Sequence, residues 1–237
     1  MTKLSVNINK VALIRNSRGE NLPDLVQFAI DCEEFGADGI TVHPRPDERH
    51  VRYDDLPKLK EVVQTELNIE GYPNDKFLDL VEKTQPHQCT LVPDPPGVLT
   101  SNEGWNTKEH TQYLAEICQR LQGIGVRVSL FLNPDTEMVK YAKDTGANRI
   151  EFYTGQFARN YIKDSQEAIK DHIEAAKVAN DLSLGVNAGH DLNLNNLKFY
   201  ASLMPGLLEV SIGHALISDT LYYGIKNTIQ MYKRLLV

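Results

Sequence analysis

Short β-rich runs alternate with helix-patterned segments along the whole sequence, and no other feature restricts the fold so strongly. The runs are Leu4–Asn9, Gly39–His43, Leu67–Tyr72, Gln88–Pro93, Arg127–Leu132, Arg149–Thr154, Ser183–Ala188 and Leu207–Gly213. Each is followed by apolar residues at helical spacing. Leu25, Phe28, Ala29, Cys32 and Phe35 form one stripe, and Leu114, Ile117, Cys118 and Leu121 a second. Leu221, Ile225, Ile229 and Tyr232 form a third. Eight strand–helix units in 237 residues average about 30 residues each, the usual size of a βαβ unit. Alternation implies a parallel sheet, and eight units favour closure into an α/β (β/α)8 TIM barrel. No Gly-x-Gly-x-x-Gly follows the first run, so a dinucleotide fold gains no support. No linker or change of composition divides the chain, and residues 1–237 are expected to form one barrel domain.

Local punctuation agrees with this pattern. Pro23 suits the first turn of the first helix, and Asn74 and Thr107 are candidate caps of later ones. Gly36, Gly125 and Gly146 stand where helices should end in a left-handed residue. Gly-Ala-Asp-Gly-Ile at 36–40 and Gly-Ala-Asn-Arg-Ile at 146–150 read as two copies of one helix-end, turn and strand-start unit. The longest stretch without periodicity, Asp94–Asn106, follows the fourth run, where a lid would sit.

Composition restricts the partners more than the fold. The chain has 25 Lys+Arg against 32 Asp+Glu, a net charge of −7. That balance argues against a nucleic-acid binder, which would carry a basic stripe, but leaves room for a local basic pocket. Cys32, Cys89 and Cys118 form no Cys-x-x-Cys, so neither a disulfide framework nor a zinc site is expected. The first residues, Met-Thr-Lys-Leu-Ser-Val-Asn, lack a signal-peptide core, and no apolar run is long enough to span a bilayer. A cytoplasmic protein without membrane partners is expected.

In such barrels the chemistry lies where strands end. Strand middles are mostly Val, Ile, Leu and Phe, whereas the ends are polar. Asn7, Asn9 and Lys10 close the first run; His43, with Arg45 after it, closes the second; Glu70 lies in the third. Glu151, followed by Thr154, lies in the sixth; Asn187-Ala188-Gly189-His190-Asp191 ends the seventh; Gly213-His214 ends the eighth. Polar strand boundaries are ordinary, yet three histidines and two glutamates on one rim exceed that expectation. His43, His50, His190 and His214 fall on this side, and an imidazole titrates near neutrality. His87 precedes its strand and falls on the opposite face, while His110 and His172 lie on helical patterns and are expected to face solvent. A carboxylate in the apolar setting of Glu70 is either a general base raised by burial or one half of an ion pair, with Arg45 as the candidate partner. Gly189-His190 and Gly213-His214 suit phosphate binding after the last two strands, or are simply turns. Arg18 and Arg45 are available for charge-assisted bonds to phosphate.

Absences narrow the chemistry further. No His-x-His closes the first run and the carboxylates are not paired as Mg²⁺ ligands, so no metal is expected. No lysine lies in the sixth run, so a Schiff-base aldolase of the usual barrel type lacks its nucleophile. Another phosphosugar barrel, such as an isomerase or a thiazole- or indole-type synthase, stays open. So does a non-catalytic barrel that binds phosphorylated metabolites.

Several motifs occur in a characteristic order: Val-Asn-Ile, Arg-Asn-Ser-Arg-Gly, Gly-Ala-Asp-Gly-Ile-Thr-Val-His-Pro-Arg, Asp-Glu-Arg-His, Asn-Ile-Glu, Leu-Val-Pro, Val-Asn-Ala-Gly-His and Ile-Gly-His-Ala-Leu-Ile. From residue 4 to about 235 the chain resembles the pyridoxine 5′-phosphate synthases of the deoxyxylulose-5-phosphate-dependent vitamin B6 pathway. The resemblance implies a barrel with extra helices, a homo-octamer and no cofactor. It implies condensation of 3-amino-2-oxopropyl phosphate with 1-deoxy-D-xylulose 5-phosphate to give pyridoxine 5′-phosphate, phosphate and water. His43 and Glu70 match proton acceptors, His190 a proton donor and Glu151 a charge-stabilising glutamate. Asn7, Arg18, Asp191, Gly213 and His214 match the amino-ketone phosphate site; Arg45, His50 and Thr100 match the deoxyxylulose phosphate site. Asn9-Lys10 replaces the family's usual Asp-His, at contacts to the sugar phosphate. Asp191 replaces its usual Gly and is expected to point away from phosphate or to bind the substrate amine.

Overall fold

Eight parallel strands close into a barrel, each bonded to its sequence neighbours and the last to the first. The structure, a computed structural model, describes residues 1–94 and 103–237. The strands are β1 (Lys3–Asn7), β2 (Gly39–Val42), β3 (Leu67–Gly71), β4 (Gln88–Leu91), β5 (Arg127–Leu132), β6 (Arg149–Tyr153), β7 (Gly185–Gly189) and β8 (Leu207–Ile212). Among the described residues the helices are α1 (Asn9–Asn16), α2 (Leu25–Glu34), α3 (Asp55–Val62), α4 (Asp75–Thr84), α5 (Thr107–Gln122), α6 (Thr136–Asp144), α7 (Gly155–Tyr161), α8 (Ser165–Asp181), α9 (Leu197–Leu203), α10 (His214–Tyr223) and α11 (Ile225–Arg234). The (β/α)8 TIM barrel and its extra helices are therefore present. Thr100 and most of the expected lid segment lie outside the described residues.

The expectation of apolar strand middles holds for only half of each strand. Side chains alternate between the two faces of a sheet. Leu4, Val6, Ile40, Val42, Leu67, Ile69, Val128, Leu130, Ile150 and Phe152 are fully buried and belong to the main core. Each large aliphatic side chain so buried contributes about 1.5–3 kcal/mol. The alternate positions are polar: Ser5, Thr41, Asn68, Thr90, Ser129, Glu151 and Asn187, all buried. Thr90 of β4 lies 3.5 Å from Glu151 of β6. Those strands are not neighbours, so the two side chains meet across the lumen. Ser5 Oγ and Thr41 Oγ1 are 2.7 Å apart, Asn68 donates to Thr41 at 3.3 Å, and Thr90 donates to Asn68 at 3.1 Å. Below this layer Arg127 pairs with Glu66 and Arg149 with Glu209, closing the N-terminal end with ions.

The internal repeat has a structural basis. Asp38 exchanges two hydrogen bonds with the backbone of Leu4 in β1, its N–H to the carbonyl and its carboxylate from the amide, both 2.8 Å. Asn148 does the same with Val128 in β5, at 3.0 and 2.8 Å. The copies thus join β1 to β2 and β5 to β6, half a barrel apart. Gly36 and Gly146 adopt φ of +102° and +76°, a region that L side chains avoid.

Four local expectations need correction. The first helix begins at Asn9, so Asn9 and Lys10 start α1 instead of ending a strand. Pro23 precedes Asp24, which caps α2 by accepting from Val26 and Gln27 N–H; an N-cap needs a short acceptor side chain, which proline lacks. Asn74 caps α4 as expected, but α5 is capped by Asn106, and Thr107 is its first residue. The C-terminal stripe is divided by Gly224 at φ +72° into α10 and α11, which leaves Leu221 exposed while Ile229 and Tyr232 are buried.

Candidate active site

Two imidazole–carboxylate pairs stand at the C-terminal ends of the strands. The first begins with His43, just beyond β2. Its backbone N–H donates to Asn9 Oδ1 at 2.9 Å, and Asn9 N–H donates to Asn7 Oδ1 at 3.1 Å. Asn9 therefore works through backbone geometry: it fixes the turn that aims His43. The His43 ring places Nδ1 3.9 Å from Glu70 Oε2. Burial lowers the His43 pKa well below its usual value, helped by the charges of Arg45, His50 and Arg49. Burial pushes the Glu70 carboxyl up to about 7, against the pull of Arg45. At neutral pH this pair offers an uncharged imidazole and a carboxylate poised to titrate, the states that proton acceptors require.

His50 lies beside this pair, its ring 6.3 Å from that of His43 and edge-on. Its own Nδ1 accepts the Val51 N–H at 2.9 Å, and burial brings it down to about 4. Arg45 is buried and meets Asp94 at 3.5 Å, and its charge also acts on Glu70. His43, Arg45, Arg49, Tyr53, Tyr72 and Lys76 line a cavity of about 170 Å³ against these loops.

The second pair lies just beyond β7. His190 Nδ1 lies 2.7 Å from Asp191 Oδ2, and the His190 ring packs edge-on to Tyr153 at 5.4 Å. The Asp191 carboxylate thus engages the neighbouring histidine. Thr154 Oγ1 accepts the Asp191 N–H at 3.2 Å and donates to Gly189 O. Glu151 lies in the lumen beneath; burial raises its carboxyl well above the usual range and the Glu70 charge adds to this. Glu151 is thus coupled electrostatically to the first pair through Glu70.

Gly213 caps α10 and comes close to Asn7: a Cβ there would lie 3.1 Å from the Asn7 side chain. His214 opens α10 and is exposed, and Arg18 is exposed in the loop after α1. His87 sits at the opposite end, where its Nδ1 accepts the Leu67 N–H at 3.0 Å. His172 is the clear correction: it is 1% exposed, 2.9 Å from Tyr200 Oη and packed among Phe152, Phe157 and Tyr200. It shares the buried face of α8 with Ile169, Ala175, Ala176 and Ala179, so helical spacing marks it as a core residue.

Val92, Phe131 and Tyr153 were not anticipated. They form an apolar cluster separate from the main core, joined to the site through Tyr153 and His190. Each stands two residues beyond a lumen residue, Thr90, Ser129 or Glu151, so strand parity is the signal that finds them. Among the described residues no group of three or more His, Cys, Asp or Glu is placed to hold a metal ion.

A parallel (β/α)8 barrel with acid–base pairs on its C-terminal rim is the architecture of a barrel enzyme. Residues 4–237 match the family described as pyridoxal phosphate biosynthesis protein PdxJ, and the chain belongs to that family. It is 56% identical over 236 residues to a pyridoxine 5′-phosphate synthase of Bacteroides fragilis, covering 100% of both chains. A pyridoxine 5′-phosphate synthase of Cytophaga hutchinsonii is 56% identical over 234 residues, covering 99% of this chain and 98% of the relative. Solved structures at low identity share the fold. One is a 3-keto-L-gulonate-6-phosphate decarboxylase from Vibrio cholerae, with TM-score 0.67, 7% identity, and coverage of 99% of this chain and 97% of that one.

Proposed function

We propose that this chain is a pyridoxine 5′-phosphate synthase, joining 3-amino-2-oxopropyl phosphate and 1-deoxy-D-xylulose 5-phosphate by general acid–base catalysis. The amine adds to the ketone and water leaves as an imine forms. Proton transfers then expel phosphate, an aldol-type step closes the ring, and loss of its hydroxyl as a second water makes the ring aromatic. Every step moves a proton on or off carbon, oxygen or nitrogen, so more than one acid–base group is needed. His43 and Glu70 accept protons, His190 donates one, and Glu151 stabilises charge between them. Each well-placed acid or base is worth about 10²–10⁴-fold, and holding the two substrates together contributes about 7–11 kcal/mol. Arg45, His50 and Thr100 bind the sugar phosphate, with Asn9 and Lys10 nearby; Asn7, Arg18, Gly213 and His214 bind the amino-ketone phosphate. The working form is a cytoplasmic homo-octamer that forms its ring as a transferase.

The observation that carries this reading is the buried contact of His43 with Glu70 at 3.9 Å. Burial holds an imidazole neutral and brings a carboxyl up to about 7 at one point on the rim, an expensive arrangement for a site that only binds. The test is phosphate release with both substrates, followed by spectroscopy for the pyridinol product. Release and product that require both substrates are expected. Saturable binding without release, or release from either substrate alone, overturns the reading.

A further inference from the structure

We propose that Asp191 is a positioning residue: its carboxylate accepts the Nδ1 proton of His190 and leaves Nε2 as the atom offered to substrate. This rests on the reading of His190 as a proton donor and assigns its orientation to a second side chain.

The backbone makes the pairing possible. In a continuing strand, adjacent side chains point to opposite faces and do not meet. His190 has φ +74°, a left-handed conformation that a side chain larger than glycine rarely adopts. At that residue the alternation breaks, and His190 Nδ1 comes within 2.7 Å of Asp191 Oδ2. The Asp191 backbone is secured on both sides. Its N–H donates to Thr154 Oγ1 at 3.2 Å, and its carbonyl accepts from Asn193 and Asn196 Nδ2, both at 3.3 Å. The backbone that carries the carboxylate is thus held in place independently of the histidine.

An ionised carboxylate only accepts hydrogen bonds, so Nδ1 must be the donor and must carry the proton. The carboxyl is charged at neutral pH. Burial opposes its ionisation, but the His190 hydrogen bond, with the charges of His190, Arg159 and His214, outweighs burial and holds it below the usual range. Tyr153 from β6 lies edge-on to the ring and holds its plane. When His190 is an imidazolium, both nitrogens carry protons, Asp191 keeps one, and the Nε2 proton is free to leave. Asp191 and Tyr153 contact the ring, and the charges of Arg159 on α7 and His214 on α10 act on the Asp191 carboxylate.

The test is steady-state kinetics of Asp191→Asn and Asp191→Ala with both substrates across pH, beside the parent enzyme. Asp191→Ala is expected to lower kcat at least about tenfold with KM for both substrates within about threefold, the split expected when orientation and not binding is lost. The pH dependence of kcat changes in both variants, because a charge bonded directly to the proton donor has been removed. Parent-like kcat and pH profile in both variants overturn the assignment. So does raised KM for the amino-ketone phosphate at unchanged kcat, which would make Asp191 a substrate contact. Asp191→Asn keeps side-chain size and carries the test if the alanine variant does not fold. A parent enzyme that makes no pyridinol product would instead refute the functional reading.

Discussion

The carboxylate of Glu151 rests against the bare Cα of Gly189: a Cβ on that glycine would lie 2.7 Å from Glu151 Oε1 and 2.6 Å from the Ser211 carbonyl oxygen. The Glu151 side chain can swing away, but a backbone carbonyl in β8 cannot do so without moving the strand. Gly189→Ala is therefore expected to displace Glu151 and to strain the β7–β8 contact together. We expect turnover to fall by about tenfold or more, with about 1–3 kcal/mol of lost stability from overpacking. Measurement of kcat beside urea unfolding checks both, and parent-like values in each would show that the glycine is incidental.

Glu70 titrates near 7 because of burial, and the proposed mechanism requires its ionised form. In the parent enzyme kcat should rise as pH increases through about 7. Glu70→Gln preserves size and removes the base, so turnover should fall by about two decades or more while the fold is kept. The rise near neutrality should vanish with it. A variant with near-normal turnover would remove Glu70 from the mechanism.

His87 supplies the contrasting control. It caps the start of β3 from the N-terminal end of the barrel by accepting the Leu67 N–H. That end serves stability, not chemistry, in these barrels. His87→Asn is expected to keep kcat within about twofold and to cost about 1 kcal/mol of stability. A large loss of turnover at parent-like stability would contradict the assigned strand direction.

The strands were legible because each is a short β-rich run between helical stripes, and Gly36 and Gly146 mark their approaches. His43 and His190 were legible because chain order places them just beyond strand ends, and Glu70 and Glu151 because a carboxylate stands out inside a β-rich run. The facing within strands was less visible: Ser5, Thr41, Asn68 and Thr90 interrupt apolar runs, and only closure of the barrel shows that they share a lumen. His172 required its position to be weighed against the stripe of α8. Asp191 carried no local signal of its contact with His190, because that contact depends on one left-handed residue. Arg15 and Asp55 are 40 residues apart in sequence, and no local pattern reports such a pair.

His172 gives the fold a pH dependence of known sign. Burial lowers it to about 4 from 6.5, and its Nε2 has no hydrogen-bond partner among the described residues. The unfolded chain therefore binds more protons between those values. Stability from this group is complete above about 6.5 and is lost as pH falls towards 4. Between pH 7 and 5 the loss should be about 2 kcal/mol. His172→Gln removes the titration and keeps a polar partner for Tyr200. Urea unfolding at both pH values should show a loss smaller in the variant by about that amount; equal losses would contradict the assignment.

Arg15 and Asp55 form a buried, two-pronged ion pair at 2.7 and 2.9 Å. Arg15 also donates to the His50 carbonyl at 3.2 Å, and Asp55 accepts the Arg52 N–H at 2.8 Å. The pair thus clamps the loop that carries His50 beside His43. Asp55→Ala strands a guanidinium without its partner and should cost about 3–5 kcal/mol. Arg15→Lys keeps the charge but cannot fork, so it should cost less and loosen the His50 loop. Its expected signature is KM for the sugar phosphate raised by about tenfold at nearly unchanged kcat, the pattern of lost uniform binding. If both variants unfold like the parent, the pair contributes nothing to the loop. If Arg15→Lys lowers kcat at unchanged KM, the loop acts on the chemical step and not on phosphate binding, and the role proposed for His50 would have to change.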